Sequence, residues 1–469
     1  MTLLDTLREI LPDDTVFTHD IEKYSQDWLG KYPFTPLAVV KPRTSHDVSR
    51  ILMLANTHHT PVVPMSGNTS LAGGTKADGA IVLSMERMNK IKAIRPEAKI
   101  AIVEAGVILA DLHAKAAEHD LIFPLTFGAR GSAMIGGNLS TNAGGSNVLR
   151  YGNTRGLCLG LEVVMPNGEI MNLMSELHKD NSGYDLKDLF IGAEGTLGVI
   201  TGAVLKLAPK PKAYATAMVA TKDLSTALNL LNTLQDLTGG AVEAFEYMPR
   251  DYMDALEHQH PELAIKFDTK YETNIMVEVG AIAPRDYSPR DDGSLPVQAM
   301  LEEILGDMLE AGDIFDAIVA QNEDQREKIW AARELAGELM FDHMPICIND
   351  IALPLEKVAT FMDRMRQKLA EIDPQAYTVN VAHLGDGNVH YAASLSSSDP
   401  ALNTQVMEAV ENLVAELGGT FSAEHGIGLS KKPSMARHKD PVALSVMRQI
   451  KRALDPNNIM NPGKVIPDA

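Results

Sequence analysis

Between residues 64 and 198 the chain gathers small residues into three separate segments, more densely than a turn requires. The first, Pro64-Met65-Ser66-Gly67-Asn68-Thr69-Ser70-Leu71-Ala72-Gly73-Gly74, directly follows a short β-rich run. The second runs from Thr126 through Gly128, Ser132, Gly136-Gly137-Asn138, Ser140-Thr141-Asn142 and Gly144-Gly145 to Ser146, and the third is Ile191-Gly192-Ala193-Glu194-Gly195-Thr196-Leu197-Gly198. Glycine lets backbone N–H groups close on a phosphate, and Ser, Thr and Asn add side-chain donors. One such loop is an ordinary turn, whereas three in succession point to a long dinucleotide lying across a domain. None has the spacing of a Walker A loop or of a strand-to-helix Gly-x-Gly-x-x-Gly, which disfavours a P-loop nucleotidase and a nicotinamide Rossmann domain.

The rest of the chain divides around these segments. Its 469 residues exceed a single core, so two or three domains are expected. From about 36 to 211, strands are predicted at Leu37–Pro42, Pro61–Pro64, Ala80–Leu83, Ile100–Glu104, Leu161–Met165 and Gly198–Thr201, with a capped helix over Ser45–Asn56. The Pro209-Lys210-Pro211 cluster reads as a boundary. Beyond it longer helices (Leu224–Leu237, Pro296–Ala311) alternate with strands such as Thr273–Val279, and Pro284–Pro296 reads as an exposed loop. Met1–Leu11 reads as a helix begun by Thr2 and Asp5, without the basic n-region of a signal peptide. No run of about 18 apolar residues suggests a transmembrane helix. With 42 basic against 62 acidic residues, the formal charge of -20 argues against nucleic acid or an anionic membrane as partner. Cys158 and Cys347, the two cysteines, make no disulfide framework, so a reducing, cytoplasmic location is expected.

A second constellation lies near the C-terminus, in His383-Leu384-Gly385-Asp386-Gly387-Asn388-Val389-His390 and in Glu424-His425. If Asp386-Gly387 forms a two-residue hairpin turn, His383 faces His390 directly, with Cβ atoms about 5 Å apart. Two imidazoles so placed, with Glu424 as third ligand, make a His, His, Glu set with an open position for an oxygen-rich substrate. Zinc suits this set best, and manganese or iron(II) fits it as well. His425, beside the ligand, is left to move protons. Taken alone, the same set would also serve a metal hydrolase.

Together, Pro64–Gly74, Gly136-Gly137-Asn138, Asn142–Gly145, Arg150-Tyr151-Gly152 and Gly192–Gly198 resemble the FAD domain of the vanillyl-alcohol oxidase and p-cresol methylhydroxylase superfamily. With His383, His390, Glu424-His425 and Asn461-Pro462-Gly463-Lys464, nearly the whole chain resembles the FAD-linked D-2-hydroxyacid dehydrogenases, the group of D-2-hydroxyglutarate and D-lactate dehydrogenases and the glycolate oxidase flavin subunit. The resemblance implies an α+β fold: an N-terminal helical segment (1–35), a vanillyl-alcohol-oxidase-type FAD-binding domain of two α+β subdomains (36–212), an α+β substrate or cap domain (213–420) and a C-terminal segment (421–469) returning to the flavin.

It further implies cofactor contacts from Pro64, Ser66, Gly67, Asn68, Thr69, Ser70, Gly73 and Gly74, then from Thr126, Gly128, Ser132, Gly136, Gly137, Ser140, Thr141, Asn142 and Gly144, and finally from Glu194, Gly195, Gly198, Val199, Ile200 and Asn461. Some relatives tether flavin through a histidine in the first loop. This loop has none, so FAD is expected to be noncovalent. The implied reaction is hydride transfer from a D-2-hydroxy acid to flavin N5, with His425 as base and substrate held by Arg333, His383 and His390. Where the D-2-hydroxyglutarate branch carries a lysine and an asparagine, this chain has Ile348 and Ala392. D-lactate and D-malate therefore stay open as substrates, with Lys431 or Lys432 as a substitute distal cation. The electron acceptor is expected to be an electron-transfer flavoprotein, a quinone or a cytochrome, with dioxygen or a partner-dependent complex as alternatives, and a homodimer stays open.

Overall fold

The computed structural model describes residues 2–341 and 344–468. The chain forms two compact units, one of Met1–Gly144, Tyr151–Pro209 and Glu424–Ala469, the other of Gly145–Arg150 with Lys210–Ala423.

The first unit is built on two main sheets. In the four-stranded one, Ala38–Val40, Ile81–Ser84 and Val62–Met65 run parallel in that order, and Val16–Phe17 joins antiparallel at the Ala38–Val40 edge. Burial on both faces explains why these parallel strands are almost wholly apolar. The crossover helix Ser45–Thr57 starts at a capping box in which Thr44 and Asp47 exchange bonds, and it buries Val48, Ile51, Leu52 and Ala55, the i, i+3, i+4, i+7 stripe. The five-stranded sheet is antiparallel, ordered Ile91–Arg95, Ile100–Glu104, Val199–Lys206, Cys158–Val164, Ile170–Leu173. One apolar core, including Leu7, Ile51, Leu83, Val103, Leu161 and Leu205, joins the two sheets.

The second unit is organised by one antiparallel eight-stranded sheet. Its order is Ile314–Val319, Ala213–Thr221, Thr273–Ala281, Val242–Pro249, Val381–His383, Asn388–Ser394, Ile346–Ala352, with Tyr377–Thr378 also paired to Asn388–Ser394. Helices Leu224–Thr238, Pro296–Glu310, Val358–Ile372 and Pro400–Glu416 cover one face, through a core containing Leu230, Leu301, Phe361 and Val410. Helices Arg250–Gln259 and Glu323–Glu334 pack on the other through Tyr252, Ile329 and Ala332, against Met218, Met276 and Ala392 of the sheet. The fold is the expected α+β type.

Two local expectations need correcting. Pro284–Pro296 is not loop throughout: Pro284 opens a short helix to Tyr287, where its fixed φ suits the first turn and its missing N–H costs nothing. The hairpin around Asp386-Gly387 is not a two-residue turn either. The strands register Val381 with His390, Ala382 with Val389 and His383 with Asn388, leaving residues 384–387 as a longer loop. Gly385 N–H is drawn to the carbonyl of Phe245, on the next strand, and Asp386 N–H folds back on His383 O. Gly387 takes φ +79°, and a Cβ there would lie 2.2 Å from the Leu353 carbonyl oxygen. These outside contacts, not the dipeptide's own turn preference, set the loop length.

Candidate active site

In the first unit the three glycine-rich segments meet. A Cβ on Gly67 would lie 2.1 Å from Ser132 O, where only hydrogen fits, and one on Gly137 would lie a tight 3.1 Å from the Ser66 Cβ, so the first two segments touch. Glu194 N–H of the third segment donates to Ser140 O, and Asn461 Nδ2 donates to both Gly74 O (3.0 Å) and Glu194 O (2.8 Å). Among the described residues, the backbone N–H groups of Gly67, Asn68, Thr69 and Ser70 donate to no acceptor in the protein. Four adjacent uncommitted donors form a nest suited to an anion. Asn138 Nδ2 and Asn461 Oδ1 are buried without partners, two more polar atoms that a cofactor could satisfy.

Several expected side-chain contacts are already engaged. Asn68, in the left-handed region (φ 52°), donates to Gln26 O and accepts from Thr75. The Ser140 and Thr141 hydroxyls bond the carbonyls of Gly136 and Gly137, one turn back. What these three residues present is chiefly backbone. Val199 and Ile200 begin the central strand of the five-stranded sheet and are buried in it.

Glu194 has a role the sequence did not suggest. Its carboxylate accepts from Ile427 N–H (2.7 Å) and Gly428 N–H (2.9 Å), bracing the loop that carries Glu424 and His425. Burial raises its pKa, and those two donors offset this only in part. Gly426 suits this loop because its φ of +78° strains other residues, and a Cβ there would also meet Glu194 Oε1 at 2.8 Å. Within this loop His425 Nε2 lies 3.8 Å from Glu424 Oε1. Lys432 Nζ lies 3.3 Å from the exposed Asp468. The neighbouring Lys464 is pushed down to about 8 by burial, then by the charges of Lys76 and Lys432.

In the second unit the site is made of side chains crossing strands. His383 faces Asn388, so His390 is its diagonal neighbour two residues further on, on the same sheet face. The imidazole centroids are 5.3 Å apart and nearly perpendicular, at 82°. The expected juxtaposition of the two histidines thus arises from a diagonal pair, not an opposed one. Glu246, in register with His383 on the other side, places Oε1 2.8 Å from His383 Nδ1. Its Oε2 accepts from Arg333 Nε at 2.8 Å. Burial alone would raise the Glu246 pKa; His383 and Arg333 outweigh it and hold the carboxyl below its ordinary range.

Arg333 is buried at 7% exposure, not solvated on its helix. Tyr252 OH donates to Ala332 O (2.6 Å) and pins that turn. Arg333 Nη2 lies 2.8 Å from Glu246 Oε2 yet, by its angle, makes no hydrogen bond and is otherwise buried without a partner. An unsatisfied buried donor costs about 1–3 kcal/mol, and more on a charged group such as guanidinium, which a carboxylate ligand would recover. Asp350, in register with His390, lies 3.9 Å from its Nδ1 and accepts from Asn388 Nδ2 at 2.9 Å.

Glu246 and Asp350 were missed in the sequence. Both are buried acids inside mainly apolar strands, a signal that a buried partner exists but not which one.

The chain contains a match to the FAD binding domain over residues 36–174 and to the C-terminal domain of FAD linked oxidases over residues 210–465. Among solved structures it is similar to p-cresol methylhydroxylase with substrate bound, with TM-score 0.74 at 17% identity, covering 99% of this chain and 96% of that one. That likeness shows the fold, the vanillyl-alcohol oxidase and p-cresol methylhydroxylase type.

Within that class the chain belongs to the FAD-linked D-2-hydroxyacid dehydrogenases. It is 35% identical to the mitochondrial D-2-hydroxyglutarate dehydrogenase of Danio rerio over 99% of this chain and 85% of that protein. It is 31% identical to the D-2-hydroxyglutarate dehydrogenase of Stutzerimonas stutzeri over 99% and 98%. FAD is therefore the dinucleotide, and the Gly67–Ser70 nest fits its pyrophosphate.

Proposed function

We propose that this enzyme oxidises a D-2-hydroxy acid to the 2-oxo acid, using noncovalent FAD and a divalent cation, zinc by preference, held by His383, His390 and Glu424. The observation that carries the reading is the second unit's cluster, in which two imidazoles share a sheet face and Glu246 ties one of them to a buried, incompletely satisfied Arg333.

FAD, when bound, supplies a hydride acceptor at N5. A cation, when bound, supplies the Lewis acidity that makes an aliphatic hydroxyl easier to deprotonate. Arg333 receives a substrate carboxylate, its planar guanidinium matching the two oxygens. His425 accepts the hydroxyl proton. The absence of histidine from residues 64–74 supports noncovalent FAD.

D-2-hydroxyglutarate, the substrate in the relatives' names, is the first to test. A second reading has its own observation. Ile348 and Ala392 are register partners beside the Asp350–His390 pair and on the same face, so this part of the site carries no charge. That favours an uncharged tail, as in D-lactate, unless Lys432 supplies the distal cation. The electron acceptor is proposed to be another redox protein or a quinone, with dioxygen as the alternative. Two buried free thiols support a reducing compartment, taken here as the cytoplasm.

Anaerobic mixing with D- and L-2-hydroxy acids tests the reading. Flavin bleaching is expected with D-isomers only, and to slow at least tenfold after chelation. Full-rate bleaching after complete metal removal would overturn the role of the cation, and peroxide release in air would identify an oxidase.

A further inference from the structure

We infer that Glu246 is a positioning residue that ties cation binding to carboxylate recognition, one oxygen fixing His383 and the other aiming Arg333. This rests on the reading of His383 as a ligand. Glu246 is fully buried, and its oxygens reach two different elements: Oε1 lies 2.8 Å from His383 Nδ1, Oε2 2.8 Å from Arg333 Nε.

An ionised carboxylate only accepts hydrogen bonds, so Nδ1 must carry the imidazole proton. Nε2 then holds the lone pair, the only ring nitrogen able to ligate a cation. The same carboxylate engages Arg333 through Nε, while Nη2, 2.8 Å from the same oxygen, is left without a hydrogen-bond acceptor. Because the two oxygens belong to one rigid group, a shift that improves one contact strains the other.

If Glu246 served only to neutralise a buried arginine, its replacement would lower stability and leave cation affinity alone. Coupling through one shared carboxylate would change both.

Holoenzyme is stripped of metal, retitrated with zinc against a chromophoric chelator, and its KM for D-2-hydroxyglutarate measured, for wild type, E246Q, E246D and R333M. Relative to wild type, E246Q is expected to bind zinc roughly 10–100-fold more weakly, the usual range for a group behind a ligating histidine, and to raise KM. R333M, which leaves the Glu246–His383 contact in place, should raise KM but shift zinc affinity less than about threefold, on the scale of one lost contact.

Wild-type protein that takes up no stoichiometric zinc would sink the cation site itself, a separate failure. Wild type that binds zinc with E246Q binding equally well would overturn the inference. If E246Q does not retain FAD, E246D decides: it keeps the charge but, one methylene shorter, cannot reach both partners. Unchanged zinc affinity and KM in a folded E246D would also overturn it.

Discussion

The two units solve the problem of binding in opposite ways. The first builds its cofactor loop from backbone: uncommitted N–H groups at Gly67–Ser70, glycines where a Cβ would strike Ser132, and side chains such as Asn68 turned inward to hold the loop. The second builds its site from side chains projecting from neighbouring strands, with Glu246, His383, His390 and Asp350 brought together by register. A backbone site tolerates many side chains and few added atoms. A side-chain site is the reverse, since each member is replaceable only by a group with the same reach and charge.

The sharpest way to break this contrast is to delete a side chain from the second unit. His390→Ala is expected to lower turnover by roughly 10²–10⁴-fold, the scale of a lost acid-base or Lewis-acid contribution, while the FAD-to-protein ratio stays that of wild type. A variant that also lost FAD would show that the side-chain site and the cofactor loop depend on each other. Gly67→Ala attacks the first unit. Its methyl must displace the Ser132 carbonyl, an overpacking cost of about 1–3 kcal/mol, so FAD affinity in apoprotein titrations should fall roughly 5–150-fold. Thr69→Ala, by contrast, leaves every N–H of the nest in place and should change FAD affinity less than about threefold. A large loss there would mean that the hydroxyl, not the backbone, holds the phosphate.

The smallest effect concerns stability. Burial alone would raise the Glu86 pKa, but Lys41 (2.8 Å) and the Tyr24 hydroxyl (2.7 Å) outweigh it and hold the carboxyl at about 2. Its folded pKa is below its unfolded one, so its contribution is present at neutral pH and is lost as pH falls from about 4.5 toward 2. Glu86→Gln should therefore cost roughly 1 kcal/mol at pH 7, after solvent screening, and its melting curve should converge with wild type near pH 2. A constant difference across that range would remove Glu86 from the acid response.

Much of this was legible in the sequence. The capped helix expected over Ser45–Asn56 runs Ser45–Thr57 with its buried stripe at helical spacing, and Ile100–Glu104 has the expected limits. The glycine segments could be read as nucleotide loops because a backbone site requires glycine at particular places, and glycine is visible residue by residue. Arg333 was reached only through family likeness; nothing local distinguishes it from a solvated helix arginine.

What the sequence determined by itself was the class of chemistry: a flavin scaffold with imidazoles and a carboxylate near the C-terminus. Tertiary structure alone decided how the two imidazoles meet. His383 and His390 come together through a diagonal pairing because Phe245, on an adjacent strand, captures Gly385, and Leu353 crowds Gly387, lengthening the loop. Glu246 finds both His383 and Arg333 although it lies 137 and 87 residues from them. Strand register depends on partners distant in the chain and moves side chains between faces with each single-residue step, so local preference cannot specify it.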